Sequence, residues 1–421
     1  MKPLSIAIIG CGPAGLAAAL LLARQGHGIH IFDQFVSPGP VGSGLMIQPS
    51  GLAVLDALGL AGEVLRRGAR IDALQGVEEH GRTVLDAPYD ALGHRGAFGI
   101  GIHRASLFAV LLEAAEWQAR ITLHADHAVT GSTLSPEGRR LIFAKADPSP
   151  PFDLVVDASG WRTHFDPAPK GILPFGALWA SLPLEPGDPF AGNLLEQRYR
   201  RAAQMAGVLP IGTRAAASGP EVAFFWSLKA DDYAAWADTP LEAWKTEVLR
   251  LWPDLAGLLA RITSRGQLTF ARYAHRTHPA PVGERMIAIG DAWHSASPQL
   301  GQGANMALLD AWSLARGLAE GRTLAEKLRL ATSWRRDHVW LYQGVTRLFT
   351  PLYQSDSRVL PAVRDRVLAP LSRHWPARGI QAQLMSGLFG FPLAPLGLAL
   401  PDYDALSASL ISASASLAPQ S

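Results

Sequence analysis

The hydrophobic residues near the start of the chain fall into short, glycine-bounded runs. Residues 5–9 (SIAII) form an apolar, β-branched run that is typical of a buried parallel strand. Good helix formers fill residues 16–25, and residues 29–32 (IHIF) form a second apolar run. The order of these segments predicts a strand, a helix and a second parallel strand.

The rest of the chain continues this alternation and then changes character. Further strands are predicted at 121–131, 139–146, 151–161 and 285–290, and helices follow a glycine-rich loop within 42–60 and occupy 103–115. Residues 171–274 contain several aromatic strands and one helical piece, which indicates an inserted α+β domain with a sheet. From about residue 331 the pattern is helical. The predicted fold class is therefore α/β.

Composition narrows the class of protein. The chain has 421 residues and a formal net charge of +2, which gives no reason to expect a nucleic-acid partner. Its single cysteine, Cys11, excludes an internal disulfide. Because the amino terminus also lacks a signal-peptide pattern, we expect a cytoplasmic protein. No metal site is predicted.

Residues 384–400 are the most apolar stretch near the carboxyl end, but glycines and prolines interrupt them. The stretch is too broken to be a transmembrane segment. Two interpretations remain open: a packed carboxyl-terminal cap, or peripheral contact with a membrane or an apolar partner.

The first glycine cluster is Gly10-Cys11-Gly12-Pro13-Ala14-Gly15, directly after the first strand. Gly10 allows the tight turn, Gly12 allows close approach of a pyrophosphate, and Gly15 allows the helix to pack on the strand. Free N–H groups at the helix start attract phosphate. Asp33 closes the second strand, where it can accept hydrogen bonds from a ribose. The sequence predicts dinucleotide binding here.

A second cluster follows the strand at 285–290, in the order Gly290-Asp291, Pro298 and then Gly301-Gln302-Gly303-Ala304-Asn305. Because the chain holds only one G-x-G-x-x-G, we interpret this cluster as the other half of the same cofactor site. If the cofactor is FAD, Asp291 can bind the ribityl hydroxyls, and the glycine-rich backbone can lie against the flavin ring.

Three segments together resemble the class A flavoprotein monooxygenases, the family of para-hydroxybenzoate hydroxylase. These are Gly10–Gly15 with Asp33, Arg104 in HRASL, and the second cluster. The resemblance extends to about residue 320 and is weakest in the carboxyl-terminal helices. It implies non-covalently bound FAD, with NADPH or NADH as a transient co-substrate. The cofactor-binding residues it implies are Gly10, Gly12, Pro13, Ala14, Gly15, Asp33, Gly44, Arg104, Asp291, Pro298, Gly301, Gly303, Ala304 and Asn305.

The resemblance also implies a Rossmann-like FAD-binding domain with an inserted α+β domain whose sheet covers the flavin. The expected FAD-binding domain is discontinuous and comprises 1–75, 100–170 and 275–330. The substrate-binding domain then comprises 76–99 and 171–274, and a helical region comprises 331–421. Five aromatic residues of the insert are candidates for a pocket that binds a flat apolar ligand, and the alternative for each is a core position: Trp179, Phe224, Phe225, Trp226 and Tyr273. Trp179, Phe225 and Tyr273 are the three assigned to the substrate pocket.

The implied activity is hydroxylation of an aromatic or planar apolar molecule through a flavin C4a-hydroperoxide, with NAD(P)H and O2. Since the cofactor carries this chemistry, we assign no catalytic side chain. His294 is expected to form a structural hydrogen bond. A monomer or a dimer is expected.

Two departures from the family pattern leave alternatives open. Ser159 in Asp157-Ala158-Ser159-Gly160 replaces a carboxylate linked to nicotinamide and flavin binding, and the loop Val41-Gly42-Ser43-Gly44 lacks an arginine that some members place near the flavin. The VVDASG segment also resembles flavin halogenases and the geranylgeranyl reductase group. A non-catalytic flavin-binding subunit is the third alternative.

Overall fold

The computed structural model describes residues 2–37, 43–166, 171–215, 217–372 and 374–408. Its strands are β1 Ser5–Ile9, β2 Gly28–Phe32, β3 Gly44–Ile47, β4 Ala69–Ile71, β5 Ala73–Glu78, β6 Thr83–Pro88, β7 Gly99–His103, β8 Ile121–His124, β9 Val129–Ser135, β10 Gly138–Phe143, β11 Leu154–Asp157, β12 Ile172–Pro183, β13 Leu194–Arg200, β14 Gln204–Gly212, β15 Glu221–Lys229, β16 Thr269–Ala274, β17 Arg276–Thr277, β18 Val282–Gly283, β19 Met286–Ala288 and β20 His294–Ser295.

The α-helices that lie wholly within the described residues are α1 Pro13–Arg24, α2 Pro49–Ala57, α3 Ala61–Arg67, α4 Arg104–Glu116, α5 Tyr233–Asp238, α6 Leu241–Leu251, α7 Ala256–Ala260, α8 Gly303–Glu320, α9 Leu324–Tyr353, α10 Val359–Val363, α11 Ala369–Ser372 and α12 Ala377–Ser386. One π-helical turn, Arg364–Leu368, joins α10 to α11.

The first sheet has six strands in the order β18-β19-β11-β1-β2-β8, and all neighbours except β18 and β19 run parallel. Its central strands, β1 and β11, are almost completely buried, as a parallel sheet covered on both faces requires. Helices α1 and α8 pack against each other beside this sheet. The predicted α/β, Rossmann-like architecture is confirmed.

The second large sheet has seven strands in the order β16-β12-β15-β14-β13-β5-β6 and is antiparallel except between β13 and β5. Alternate residues of its strands point to opposite faces. Phe224 and Trp226 of β15 pack on α6 and α7 in a separate hydrophobic core, whereas Phe225 packs on the opposite side with Trp179 of β12. Phe224 and Trp226 are therefore core residues, the alternative that the sequence left open.

Several element boundaries differ from the predicted ones. The seven-stranded sheet begins at Ala73 rather than at residue 76, because Ala73 already pairs with Leu194 of β13. The last long helix begins at Leu324 rather than near 331, because the Thr323 hydroxyl accepts the N–H of Glu326 and caps the first turn. Residues 121–131 do not form one strand: β8 and β9 belong to different sheets.

The apolar segment 384–400 mostly packs against the protein. Met385, Leu393 and Leu396 are buried, and the Trp312 indole N–H donates a hydrogen bond of 2.9 Å to the Leu396 carbonyl. This packing agrees with the carboxyl-terminal cap. Across the described residues, we find no helix with the length and apolar character needed to span a bilayer.

Candidate active site

One large cavity, of about 740 Å³, lies between the six-stranded and seven-stranded sheets. We call it the main cavity. The sequence assigned fourteen residues to cofactor binding and three to the substrate pocket. Fifteen of these seventeen line the main cavity: Gly10, Gly12, Pro13, Ala14, Asp33, Gly44, Arg104, Trp179, Phe225, Tyr273, Asp291, Pro298, Gly301, Gly303 and Ala304. The fold thus brings the two distant glycine clusters and the aromatic strands together. The exceptions are Gly15 and Asn305, whose places are described below.

The first corner joins β1 to α1 and is held by backbone contacts. Gly10 has a φ of +99°, and a Cβ there would lie 2.5 Å from the Ala158 carbonyl oxygen. A Cβ on Gly15 would lie 2.1 Å from the Gly10 carbonyl oxygen, so Gly15 serves helix packing rather than the cavity wall. A Cβ on Gly12, in contrast, would meet no protein atom within 4 Å. The space beside Gly12 is therefore open to a ligand.

Asp33 ends β2 beside this corner and helps to fix it. One of its carboxylate oxygens accepts the Cys11 N–H at 2.8 Å, and the other accepts the Phe35 N–H at 3.0 Å. The carboxylate remains on the cavity wall, so it can also accept a ligand hydroxyl. Burial raises the pKa of the adjacent Cys11 thiol to about 12, which keeps it uncharged and unreactive at neutral pH.

The second corner joins β19 to α8 and is held by buried charges. Asp310 of α8 accepts three hydrogen bonds: from Gly290 N–H at 2.9 Å, from His294 Nε2 at 2.6 Å and from Arg335 Nε at 2.8 Å. Burial alone would raise the pKa of Asp310, but His294 and Arg335 outweigh it and lower that pKa. His294 therefore makes the structural hydrogen bond expected of it.

Asn305 fastens the second corner to β3. Its side-chain oxygen accepts the Gln48 N–H at 2.8 Å, and its amide donates to the carbonyls of Met46 at 3.1 Å and Gly301 at 2.9 Å. Its side chain is thus committed to protein partners and does not face the cavity. We assign Asn305 a positioning role, because it holds the loop that carries Gly301 and Gly303.

Arg104, the first residue of α4, and Asp291 are charged residues of the cavity wall, and neither side chain makes a hydrogen bond to another described residue. The protein around Asp291 raises its pKa by desolvation, while His294 and Arg104 act in the opposite direction. An arginine at a helix start opposes the helix dipole, so a favourable polar partner is expected for it. Both groups are available to a bound molecule.

Ser159 takes the position at which the resembled family has a carboxylate. Its hydroxyl donates to Asp157 Oδ1 at 2.6 Å, and Thr163 donates to Asp157 Oδ2 at 2.5 Å. Burial raises the pKa of the Asp157 carboxyl. Ser159 thus borders the cavity without adding a charge to it. Val41 and Gly42 of the arginine-free loop lie outside the described residues.

The aromatic wall of the main cavity comes from the seven-stranded sheet. The ring centroids of Trp179 and Phe225 are 4.7 Å apart, and the Trp179 indole N–H donates to the Tyr273 hydroxyl at 2.8 Å. These contacts fix three flat side chains on one side of the cavity. A planar apolar molecule would find stacking surface there.

The residues of the main cavity fit FAD. The wall near Gly12 leaves open the space that a pyrophosphate needs, at the uncapped amino terminus of α1. The amino terminus of α8 is also without a side-chain cap. Asp291 offers a carboxylate to hydroxyl groups, and Arg104 offers a cation. When bound there, FAD would be held by backbone N–H groups at both corners.

Sequence reasoning missed the residues that hold the second corner. Asp310, Arg335 and His338 form a buried chain in which Arg335 Nη1 lies 2.7 Å from His338 Nδ1. A signal was present: an aspartate sits inside an apolar helix, where an unpaired charge would be costly. Arg335 and His338 belong to α9, and spacing along the chain could not pair them with Asp310.

The comparisons with known proteins agree with this site. A model of the FAD binding domain family matches residues 4–140 and 221–342. The chain is 27% identical over 368 residues to hispidin-3-hydroxylase of Neonothopanus nambi, covering 78% of this chain and 83% of that protein. It is 27% identical over 407 residues to 6-methylpretetramide 4-monooxygenase of Streptomyces rimosus, covering 91% and 92%.

A solved structure has the same fold. Klebsiella pneumoniae HpxO, complexed with FAD and uric acid, superposes with a TM-score of 0.76 at 18% identity and covers 91% of this chain and 97% of its own. The family model matches more than half of the chain, and together with relatives named as a hydroxylase and a monooxygenase it favours a monooxygenase over a halogenase, a geranylgeranyl reductase or a non-catalytic subunit. The chain belongs to the FAD-binding family of class A flavoprotein monooxygenases and is an FAD- and NAD(P)H-dependent enzyme.

Proposed function

We propose that the enzyme hydroxylates a planar, largely apolar aromatic molecule bound between the flavin and the aromatic wall of the seven-stranded sheet. The observation that carries this proposal is the main cavity itself, which joins both glycine corners to Trp179, Phe225 and Tyr273. The names of the relatives, among them a hydroxylase and a monooxygenase, support hydroxylation, and the uric acid bound to HpxO supports a flat ring as substrate.

In this proposal the first corner binds the dinucleotide. The backbone N–H groups of Gly12 and Ala14, on either side of Pro13, would donate hydrogen bonds to the phosphates at the start of α1, and the Asp33 carboxylate would accept hydrogen bonds from the ribose hydroxyls. Arg104 reaches the cofactor from the start of α4. Gly10 and Gly15 act on shape alone, because they allow the turn and the packing of α1.

The second corner binds the flavin side. Asp291 would accept hydrogen bonds from the ribityl hydroxyls, and the backbone from Pro298 through Gly301, Gly303 and Ala304 would hold the ring. Gly44 supports this region from β3. The amino terminus of α8 would stabilise negative charge on a flavin bound here.

When bound, FAD supplies the redox chemistry by accepting a hydride from NAD(P)H and activating O2. The overall reaction consumes the substrate, O2, NAD(P)H and one proton and forms the hydroxylated product, NAD(P)+ and water. The protein must orient the ring and exclude water. Trp179, Phe225 and Tyr273 serve both needs, since they are flat and mostly apolar.

Several features remain part of the proposal. We assign the seven-stranded sheet and its helices to substrate binding, and residues 1–75, 100–170 and 275–330 to FAD binding, with the boundary at Ala73 adjusted as above. Because Ser159 stands at the carboxylate position, turnover with NADPH and with NADH is compared to identify the reductant. A cytoplasmic monomer or dimer without stable membrane contact is the simplest arrangement.

The decisive test combines binding and turnover. Purified protein should show flavin absorbance, and a panel of phenols, indoles and quinolones should contain compounds that accelerate NAD(P)H oxidation. A product that carries one atom of 18O from 18O2 would support the proposal. Flavin-free protein, or NAD(P)H oxidation that no ring compound accelerates, would count against it, and chloride-dependent product would favour the halogenase alternative.

A further inference from the structure

A second cavity, of about 240 Å³, lies between the edge of the seven-stranded sheet and the carboxyl-terminal helices. Its wall includes Val84 and Leu85 of β6, Leu352 of α9, Ala369 of α11 and Leu384 of α12. Most lining side chains are apolar. Nothing in the function described above uses this space.

The second cavity adjoins the main cavity. Gln197, Gln299 and Met385 line both of them, so these three residues lie between the two spaces. Gln299 directly follows Pro298, which we place at the flavin ring. A molecule bound beside the flavin could therefore extend into the second cavity by displacing flexible side chains.

The outer side of the second cavity reaches the protein surface. Leu368, Leu371 and Ile380 line it and are also 39%, 57% and 42% exposed. Large apolar side chains at an opening are typical of a surface that receives an apolar ligand. The π-helical turn Arg364–Leu368 forms part of this wall, and such turns are frequent at functional sites.

Two buried donors in this wall have no hydrogen-bond partner among the described residues: Arg364 Nη2 and Gln299 Nε2. Arg364 is almost completely buried; its Nε donates to Asp365 at 2.6 Å and its Nη1 to the Leu352 carbonyl at 3.1 Å. Because Asp365 already balances the guanidinium charge, what remains to be satisfied is a hydrogen bond rather than a charge.

We propose that the second cavity receives an apolar arm of the substrate, and that this arm carries a neutral oxygen acceptor such as a ketone or an amide carbonyl. The inference rests on the proposed function, because the ring of the same molecule would lie beside Trp179 in the main cavity. The enzyme would then prefer a ring with a chain over the bare ring.

The first experiment needs no assumption about the ring. 2-Heptanone, 2-octanone and 2-nonanone are titrated into the FAD-loaded enzyme by calorimetry. Affinity should rise up to about fourfold with each added methylene that is buried. Octanoate should bind at least tenfold more weakly than 2-octanone, because Asp365 leaves no net positive charge for it. If octanoate bound as tightly as 2-octanone or more tightly, the proposal that the arm carries a neutral acceptor would be wrong.

A matched pair of variants locates the binding. Ala369→Leu adds volume inside the second cavity, whereas Ala362→Leu makes the same change at a half-buried position of α10 that does not line it. Ala369→Leu should weaken 2-nonanone binding at least tenfold, and Ala362→Leu should leave it within twofold. Equal effects, or no effect of either, would overturn the inference. Ala377→Phe, at another lining position, replaces Ala369→Leu if that variant fails to fold.

Turnover separates this inference from the proposed function. Phenol and its 4-ethyl, 4-butyl and 4-hexyl derivatives are compared as stimulators of NAD(P)H oxidation, together with the aromatic panel. If ring compounds stimulate NAD(P)H oxidation but KM does not fall as the alkyl chain lengthens, the proposal that the second cavity binds a substrate arm is wrong, while the proposed hydroxylase function is retained. If no ring compound stimulates although 2-nonanone binding depends on Ala369, the proposed ring chemistry fails while the second cavity still binds an apolar carbonyl compound.

Discussion

The corner between β1 and α1 and the corner between β19 and α8 both place a helix start at the main cavity, but different forces hold them. The first corner depends on the absence of side chains: Gly10 and Gly15 allow contacts that any Cβ would prevent. The second depends on a buried carboxylate, Asp310, with partners on two other segments. One corner is built from local backbone geometry and the other from long-range charge pairing.

This difference has consequences for stability. A substitution at Gly10 or Gly15 destabilises the first corner by steric overlap, which is independent of pH. Loss of either partner of the buried ion pair destabilises the second corner, since the remaining charge is then unpaired in the protein interior. We expect the second corner to be the more sensitive of the two.

The largest effect is expected for Asp310→Ala. The change leaves Arg335 without its carboxylate and Gly290 N–H without its acceptor, so the free energy of unfolding should fall by about 3–5 kcal/mol. Glu320→Ala on the same helix removes an exposed pair with Arg316 and should cost less than about 1 kcal/mol. Urea unfolding of both variants measures the two values; similar losses would show that Asp310 does not hold the corner.

The stabilisation by Asp310 should also depend on pH. Because His294 and Arg335 keep the pKa of Asp310 below its ordinary value, the stabilisation is complete above that ordinary value and decreases as the pH falls toward the lowered one. The stability difference between the wild type and Asp310→Ala should therefore shrink in acid. A difference that stays constant down to pH 3 would contradict the assigned charge.

Asp291→Ala should separate binding from stability. Loss of a charged hydrogen-bond acceptor should weaken FAD by about 1.5–3 kcal/mol, or roughly 10-fold to 150-fold in Kd. The FAD-free variant should unfold like the FAD-free wild type, because Asp291 is exposed on the cavity wall.

FAD titration and thermal unfolding of the FAD-free protein measure both effects of Asp291→Ala. Unchanged FAD affinity would remove Asp291 from the cofactor site. A less stable FAD-free variant at neutral pH would mean that Asp291 has a structural partner.

The first corner is tested by a pair of glycine variants. Gly15→Ala places a Cβ 2.1 Å from the Gly10 carbonyl oxygen and should reduce stability by about 1–3 kcal/mol. Gly12→Ala meets no protein atom within 4 Å, so the FAD-free protein should melt as the wild type does while FAD affinity falls. Equal melting temperatures for the two variants would contradict the division between packing and binding.

The smallest effect is expected at the aromatic wall. Trp179→Phe removes the 2.8 Å hydrogen bond to Tyr273 and should cost about 0.5–1.5 kcal/mol of stability. Tyr273→Phe removes the other partner, and the double variant should cost little more than either single one. Additive losses would mean that the bond does not couple these residues.

Much of the site was predictable because its signals are local. A glycine cluster between a strand and a helix has one main physical use, and Gly10, Gly12 and Asp33 followed from that use alone. The boundaries were less predictable: Ala73 joins the seven-stranded sheet through a strand more than a hundred residues away. The inward or outward direction of Phe224 and Phe225 depended on strand register, which the sequence of one strand does not determine.

The sequence by itself determined the fold class, the two glycine corners and the family, because turn geometry and helix starts are encoded by neighbouring residues. Only the tertiary structure decided that Asn305 faces the protein, that Asp310 holds the second corner and that a second cavity adjoins the first. The physical reason is that hydrogen bonds, ion pairs and cavities are made between segments that are distant along the chain, and their partners are chosen by packing.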